Sequence, residues 1–348
     1  MRQRFSALHS CARLRDGEAR SPSEAAGAGV GPSRGRSTAV AMCRVVRALI
    51  GEGPPSGESA VETTFNQVPL WIDELSFRPG PPWLSMGTRA LRDGPLLIED
   101  DLHSVYLAEK EWLFANAREA VSVSLPEAAE AAAEAAELVS SRLSGPNPFG
   151  NFRPLEIAAL QVQEDLIVLI RSEEAWRFGA GVVCFPSHWV PSEKLGLPIT
   201  DVHEPVPHYN EELAQRVDRF LDHLAPGRSA WRRNWVIHAS PQLHVPRPPT
   251  VGAPVQPRDL WLRSERQVLW ALPATGGILF TIRTQQFPLR ALVMRPDVAS
   301  LMASSLRSAP DSLRAYRRQD AFSLDDVIDL LETWAGGRTR QVDQSRSD

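Results

Sequence analysis

Residues 261–284 read WLRSERQVLWALPATGGILFTIRT. Two runs rich in Leu, Val, Ile and aromatic residues flank the turn-forming PATGG, which predicts an antiparallel hairpin with a loop of intermediate length. Side chains alternate along a strand, so Arg263, Glu265 and Gln267 share one face, and Ser264 and Arg266 share the other. Ionised groups on a sheet face have two readings. Either the face is exposed and laced with Arg–Glu pairs, or it is buried and each charge needs a partner or a ligand. Working outward, EDLIVLIRS (164–172) and AWRFGAGVVCFPS (175–187) predict a second hairpin, and RRNWVIHAS (232–240) predicts a further strand. Helices are predicted on both sides of these strands, at 101–118, 126–143, 209–225, 297–307 and 323–335. Pro126 suits the first turn of the second helix and Gly145 its end. Asn210 is the expected cap of the third, while Ser323 with Asp326 and the pair Gly336–Gly337 bound the last. Strands clustered between helices favour α+β with an antiparallel sheet over a regular βαβ alternation.

The chain has 348 residues, 43% hydrophobic and 23% charged, the composition of a globular protein of one large domain or two ordinary ones. A formal charge of −4 gives no reason to expect a nucleic-acid or membrane surface. The longest apolar runs, DLIVLI (165–170) and GVVCF (181–185), are far shorter than the roughly 20 residues of a membrane helix and read as buried strands. Cys11, Cys43 and Cys184 show no paired spacing, which argues against a disulfide framework, a thiolate zinc site and covalent c-type haem, and points to a reducing cytoplasm. Residues 1–64 are rich in Gly, Ser, Pro, Ala and Arg and are expected to be disordered, with a short helix at AMCRVVRALIG (41–51). Acidic Asp16, Glu18 and Glu24 weigh against a transit peptide, and Met42 stands as an alternative start. The tail 338–348 is also expected to be disordered, leaving an ordered domain over 65–337.

No GxGxxG, GxxxxGK[ST], GxSxG, HExxH or DxDxDG sequence is present, so the usual nicotinamide, P-loop, serine-hydrolase, zincin and EF-hand chemistries lose weight. Three clusters remain. The first is CFPSHWVPSEKLGLPITDVHEPVPHY (184–209), where prolines forbid one long helix or a central strand. The others are WRRNW (231–235) and RSERQ (263–267).

VQEDLIVLI (162–170), CFPSHWVPSEKLGLPITDVHEPVP (184–207), RRNW (232–235) and LRSERQVLWALPATGGILFTIRTQQFPL (262–289) occur in that order. Together they resemble the haem-dependent oxidative N-demethylase family over about residues 76–335. The resemblance implies a PAS-like antiparallel sheet with flanking helices, its core at about 155–290, carrying haem b. It also implies O2-dependent removal of a methyl group from a small secondary amine, dimethylamine-like, with release of formaldehyde. Electrons would come from NADPH only indirectly, through flavin and iron–sulfur reductase subunits, since this chain carries no reductase motif.

A b-type haem needs an axial ligand, an apolar slot and cations for its propionates. His203, in the proline-flanked HEPVP run, is the iron-ligand candidate, against a structural role in bonding the loop backbone; His188, His208, His238 and His244 are the other candidates. Lys194, Arg232, Arg233, Arg263 and Arg266 are candidates for propionate contacts. Trp189, with Trp235 and Phe280, is a candidate wall for the macrocycle or plain core. Glu265 is the candidate for binding the substrate ammonium and tuning its protonation, or else a salt-bridge partner of Arg263 or Arg283; Glu164 and Asp165 are weaker rivals. A PAS-like haem pocket also serves sensing without turnover, so a non-catalytic haem or small-molecule binder is the competing expectation.

Overall fold

The computed structural model describes residues 68–143, 152–248, 254–318 and 322–336. The expected disordered ends, the helix at 41–51, Cys11, Cys43, Gly145 and Gly337 lie outside the described residues. The chain divides into Met1–Val61 and Glu62–Asp348, and every element below belongs to the second unit.

Seven strands form one antiparallel sheet: β1 (Arg89–Ala90), β2 (Ser122–Ser124), β3 (Asp165–Arg171), β4 (Trp176–Val182), β5 (Ser229–His238), β6 (Trp261–Ala271) and β7 (Ile278–Pro288), in the order β1-β5-β6-β7-β3-β4-β2. The fold is α+β. The expected hairpin is β6–β7, with Glu265 opposite Thr284 and Gln267 opposite Ile282. Its tip is held from outside: the Glu134 carboxylate accepts the backbone N–H groups of Ala274 and Thr275 at 2.8 Å each and the Thr275 hydroxyl at 2.6 Å. Gly276 sits at φ +71°, where a Cβ is strained, and a Cβ on Gly277 would stand 3.1 Å from both the Ala131 methyl and the Leu169 carbonyl.

The helices are α1 (His103–Val121), α2 (Ala129–Ser140), α3 (Pro154–Ala159), α4 (Pro191–Lys194), α5 (Ile199–Val202), α6 (Gln215–His223), α7 (Pro296–Ser308), α8 (Asp311–Arg318) and α9 (Leu324–Ala335). The small residues of α2 (Ala131, Ala135, Ala136) let it lie close on one face of the sheet, against Val168, Ala180, Val268 and Leu279. On the same face, farther along, α7 and α9 pack on Leu262, Phe287 and Ile237. Leu324, Val327, Ile328 and Leu331 of α9 are all buried there, each contributing roughly 1.5–3 kcal/mol. No described helix is long and apolar enough to cross a membrane.

Several expectations are corrected. Asn210 is no cap: it opens a π-helical turn, Asn210–Ala214, that runs into α6, and its side chain makes no capping bond. α2 stops at Ser140, short of 143, and α3 and α8 were not foreseen. β4 ends at Val182; the Val183 amide still reaches the Val121 carbonyl at 2.8 Å, and the buried Asp165 carboxylate then takes the amides of Cys184 and Phe185 at 2.9 Å each, drawing the chain out of the ladder. The proline-rich stretch holds two single-turn helices, α4 with Pro191 in its first turn and α5 with Pro198 just before it. The Ser323 hydroxyl does cap α9, accepting the Asp326 amide at 3.2 Å. Cys184 is fully buried, and burial pushes its thiol far above the ordinary range, so it is an inert core residue.

A groove on the open face of the sheet

In antiparallel pairing, residues directly opposite one another share a face. Arg232 lies opposite Gln267, Asn234 opposite Glu265, and Glu265 opposite Thr284. These side chains therefore form one polar band across three central strands, on the face away from α2. Arg232, Asn234, Glu265 and Phe280 remain half-exposed although they sit on central strands. The band is flanked by an apolar cluster in which Trp189 and Phe280 pack beside Ile167, Phe178, Leu269 and Ile282. Trp189 meets Phe178 edge-on, with ring centroids 6.4 Å apart.

His203 follows the last residue of α5. Its Nδ1 lies 2.9 Å from the carbonyl of Ile199. A carbonyl only accepts, so Nδ1 carries the proton and Nε2 keeps the lone pair. One ring face is covered by Tyr209, stacked at 4.5 Å with an 8° interplanar angle. Burial keeps the imidazole neutral, lowering its pKa against the pull of the Ile199 bond, and the nearby Arg232 and Lys194 lower it further. Lys194, His203, Tyr209 and Arg232 are thus electrostatic neighbours.

Two donors in this group are buried without a partner: the Arg232 Nε–H and the Tyr209 hydroxyl. Burial lowers the Arg232 pKa and raises that of Tyr209, while each is electrostatically coupled to the other. Orphaned donors of this kind suit an incoming carboxylate, which accepts from both. Glu265 is held differently. Asn234 Nδ2 and Gln267 Nε2 donate to the same oxygen, Oε2, at 3.1 and 3.0 Å. Arg232 and Arg263 feel its charge, yet neither approaches within ion-pair distance among the described residues.

The remaining residues fall elsewhere. Arg263 shares the face of Glu265 but is fully buried, its guanidinium spent on the carbonyls of Leu243, at 3.0 Å, and Phe185. Arg233 and Arg266 emerge on the opposite face. Arg233 pairs with Glu74 at 2.8 Å and lies over Trp71; Arg266 donates to the carbonyls of Pro95 and Leu96. Arg283, a candidate partner for Glu265 in the sequence, also turns to that opposite face and pairs with Asp100 at 2.6 Å. Trp235 is there too, donating to the Ser76 carbonyl and stacking on Phe77. Glu164 accepts the Ile98 amide, and Asp165 anchors the β4 exit, so both are structural.

Of the other histidines, His188 and His238 stack at 4.9 Å beside Arg263, and His238 Nε2 meets the Ser187 hydroxyl at 2.9 Å. Burial, then Arg263, depress them to about 4 and about 2. His208 meets the Ser312 hydroxyl, and His244 the Cys184 carbonyl. No sequence pattern assigns a role to Tyr209 or Asn234. Asn234 was within reach of strand parity, but nothing local marks Tyr209 as the residue that faces His203.

The sheet face thus brings together a buried imidazole, two orphaned donors and aromatic side chains. The model of the family described as haem-dependent oxidative N-demethylase, alpha subunit-like, matches residues 144–325, more than half of the chain. The chain belongs to this family.

Proposed function

We propose that the chain is the haem-carrying component of a monooxygenase that removes a methyl group from a small secondary amine. For a dimethylamine-like substrate the balance is (CH3)2NH + O2 + 2 electrons + 2 protons giving CH3NH2, HCHO and water. The observation that carries this reading is the convergence of the His203 lone pair with the orphaned donors of Arg232 and Tyr209. An axial nitrogen and propionate partners are what a non-covalent haem b requires, and a tautomer fixed by a carbonyl is the usual way to aim such a ligand. In this reading Lys194 adds a second cation, and Trp189 and Phe280 exclude water from the macrocycle. Arg263 is its buried structural neighbour, while Arg233 and Arg266 serve the other face of the sheet.

When bound, the haem supplies O2 activation and hydroxylation of the N-methyl carbon, and the resulting carbinolamine collapses to amine and formaldehyde. The chain's own residues bind and orient. Glu265, with Oε2 held by Asn234 and Gln267, presents Oε1 to the ammonium and accepts its proton as the amine becomes reactive. Electrons come from outside the chain, from NADPH through flavin and iron–sulfur subunits. The strand order β5-β6-β7-β3-β4, with α4, α5 and α6 between β4 and β5, supports a PAS-like core within a domain at 65–337. A reducing cytoplasm is the compartment that fits the unpaired cysteine usage.

The test is spectroscopic and then chemical. The purified chain, supplied with hemin, should show a Soret band that shifts with dithionite. With a competent reductase and NADPH it should release formaldehyde from secondary amines. A hemin mixture whose spectrum stays that of free hemin ends the haem reading; a haem-loaded protein with no amine-dependent formaldehyde leaves a binder or sensor.

A further inference from the structure

A cavity of about 1330 Å³ opens at the β1–β5 edge of the sheet. Four arginines line it: Arg89, Arg92, Arg142 and Arg228. None of them forms an ion pair among the described residues, although nine other arginines do. Arg142 stands over Trp270 at 4.9 Å and Arg89 over Trp231 at 5.5 Å, so two guanidinium groups are held on aromatic shelves. The carboxylates of the lining do little to offset them. Glu164 is buried and turned to the Ile98 amide, and Glu99 faces His103 at 3.7 Å, leaving Asp93. The lining thus carries four unpaired guanidinium groups against three carboxylates, one of them buried, on a chain whose formal charge is −4.

The cavity adjoins the polar band of β5 and β6. Ala230 lines it, and Arg232 lies two residues farther along β5, roughly 7 Å away at strand rise. Phe220 and Leu224 line it as well and pack into the apolar cluster that holds Trp189 and Phe280. We propose that this arginine-lined edge docks an acidic, electron-carrying protein, and so places its redox centre beside the Arg232 end of the groove. The inference rests on the haem reading for its purpose but not for its geometry. Each encounter oxidises the carrier by one electron, which the bound cofactor gains, and two encounters supply the two electrons of the balance above. A protein fits the edge better than a free nucleotide. All four arginine side chains are exposed and spread along the rim, and a spread of exposed charge recognises a complementary spread and speeds encounter.

The probe is a flavodoxin, an acidic flavin carrier, titrated calorimetrically into the full haem-free chain. Binding should weaken about tenfold or more between about 0.01 and 0.3 M salt, and about tenfold in Arg92→Glu/Arg228→Glu at low salt. Adding Arg89→Glu should weaken it further; the double variant leaves the β1 pairing intact and guards against misfolding, checked by circular dichroism. In the hemin-loaded chain, reduction by flavodoxin should slow about tenfold in these variants, while reduction by dithionite is unchanged. Flavodoxin binding that is absent, indifferent to salt or indifferent to the arginines overturns the proposal. So does free NADPH or flavin mononucleotide binding through these arginines while flavodoxin does not. A hemin mixture whose spectrum stays that of free hemin would end the haem reading alone, since the calorimetry decides docking without cofactor.

Discussion

The two faces of the central strands treat their charges in opposite ways. On the face toward α1 and α2, Arg283 pairs with Asp100 and lies over Tyr106 at 4.3 Å, Arg233 pairs with Glu74, and Arg266 is tied to two carbonyls. On the open face, Arg232 Nε and the Tyr209 hydroxyl have no partner, and both hydrogen bonds to Glu265 fall on one oxygen. Consecutive residues, Arg232 and Arg233, thus differ in kind. Buried polar groups are normally satisfied because each orphan costs about 1–3 kcal/mol. The contrast is one of degree, since Arg283 Nε and the Thr281 hydroxyl on the helix-covered face also lack a partner, but the guanidinium groups there are otherwise tied to Asp100, Glu74 and backbone carbonyls.

The largest effect expected to break this comparison is at His203. His203→Ala should reduce haem content of the hemin-reconstituted chain about tenfold or more without changing its far-ultraviolet circular dichroism; normal haem uptake would reject the assignment. Next is the helix-covered face. Arg283→Ala, which strips the partly exposed Asp100 of its buried partner, should cost about 1.5–3 kcal/mol of stability in urea unfolding, with a midpoint near the parent's counting against an architectural role. Glu265→Gln should weaken amine binding by about 1.5–3 kcal/mol, read as a spectral titration with dimethylamine, while the urea midpoint moves little. A variant that loses stability and keeps amine affinity would move Glu265 to the architectural class.

The smallest effect is a pH dependence at a fully bonded carboxylate away from the strands, Glu156 of α3. Glu156 is buried, which raises its pKa, but bonds from Arg118, Arg153 and Ser122 outweigh burial and hold it down to about 2. A depressed folded-state pKa gives stability that is present above the unfolded value of 4.5 and lost as pH falls toward about 2. Urea midpoints measured across that window should fall with pH in the parent and fall less steeply in Glu156→Gln.

Parity made much of this legible. The alternation in RSERQ assigns Arg263, Glu265 and Gln267 to one face, and the structure keeps that assignment through the register with β5 and β7. Arg263 and Glu265 then part company, because the Leu243 and Phe185 carbonyls happen to lie over one and not the other. The end of β4 was not legible, since it depends on a carboxylate at the start of β3 capturing two amides. The π-helical turn at Asn210–Ala214 was missed because a good capping residue and acidic first turn resemble an ordinary helix start.

By itself the sequence determined the antiparallel hairpin, the α+β class and the partition of charges between two faces, because these follow from local periodicity and turn chemistry. Only the tertiary structure decided which face stays open and that His203, Tyr209 and Arg232 meet there. Burial and long-range contact depend on where the helices settle, and strand alternation is the same whichever side they cover.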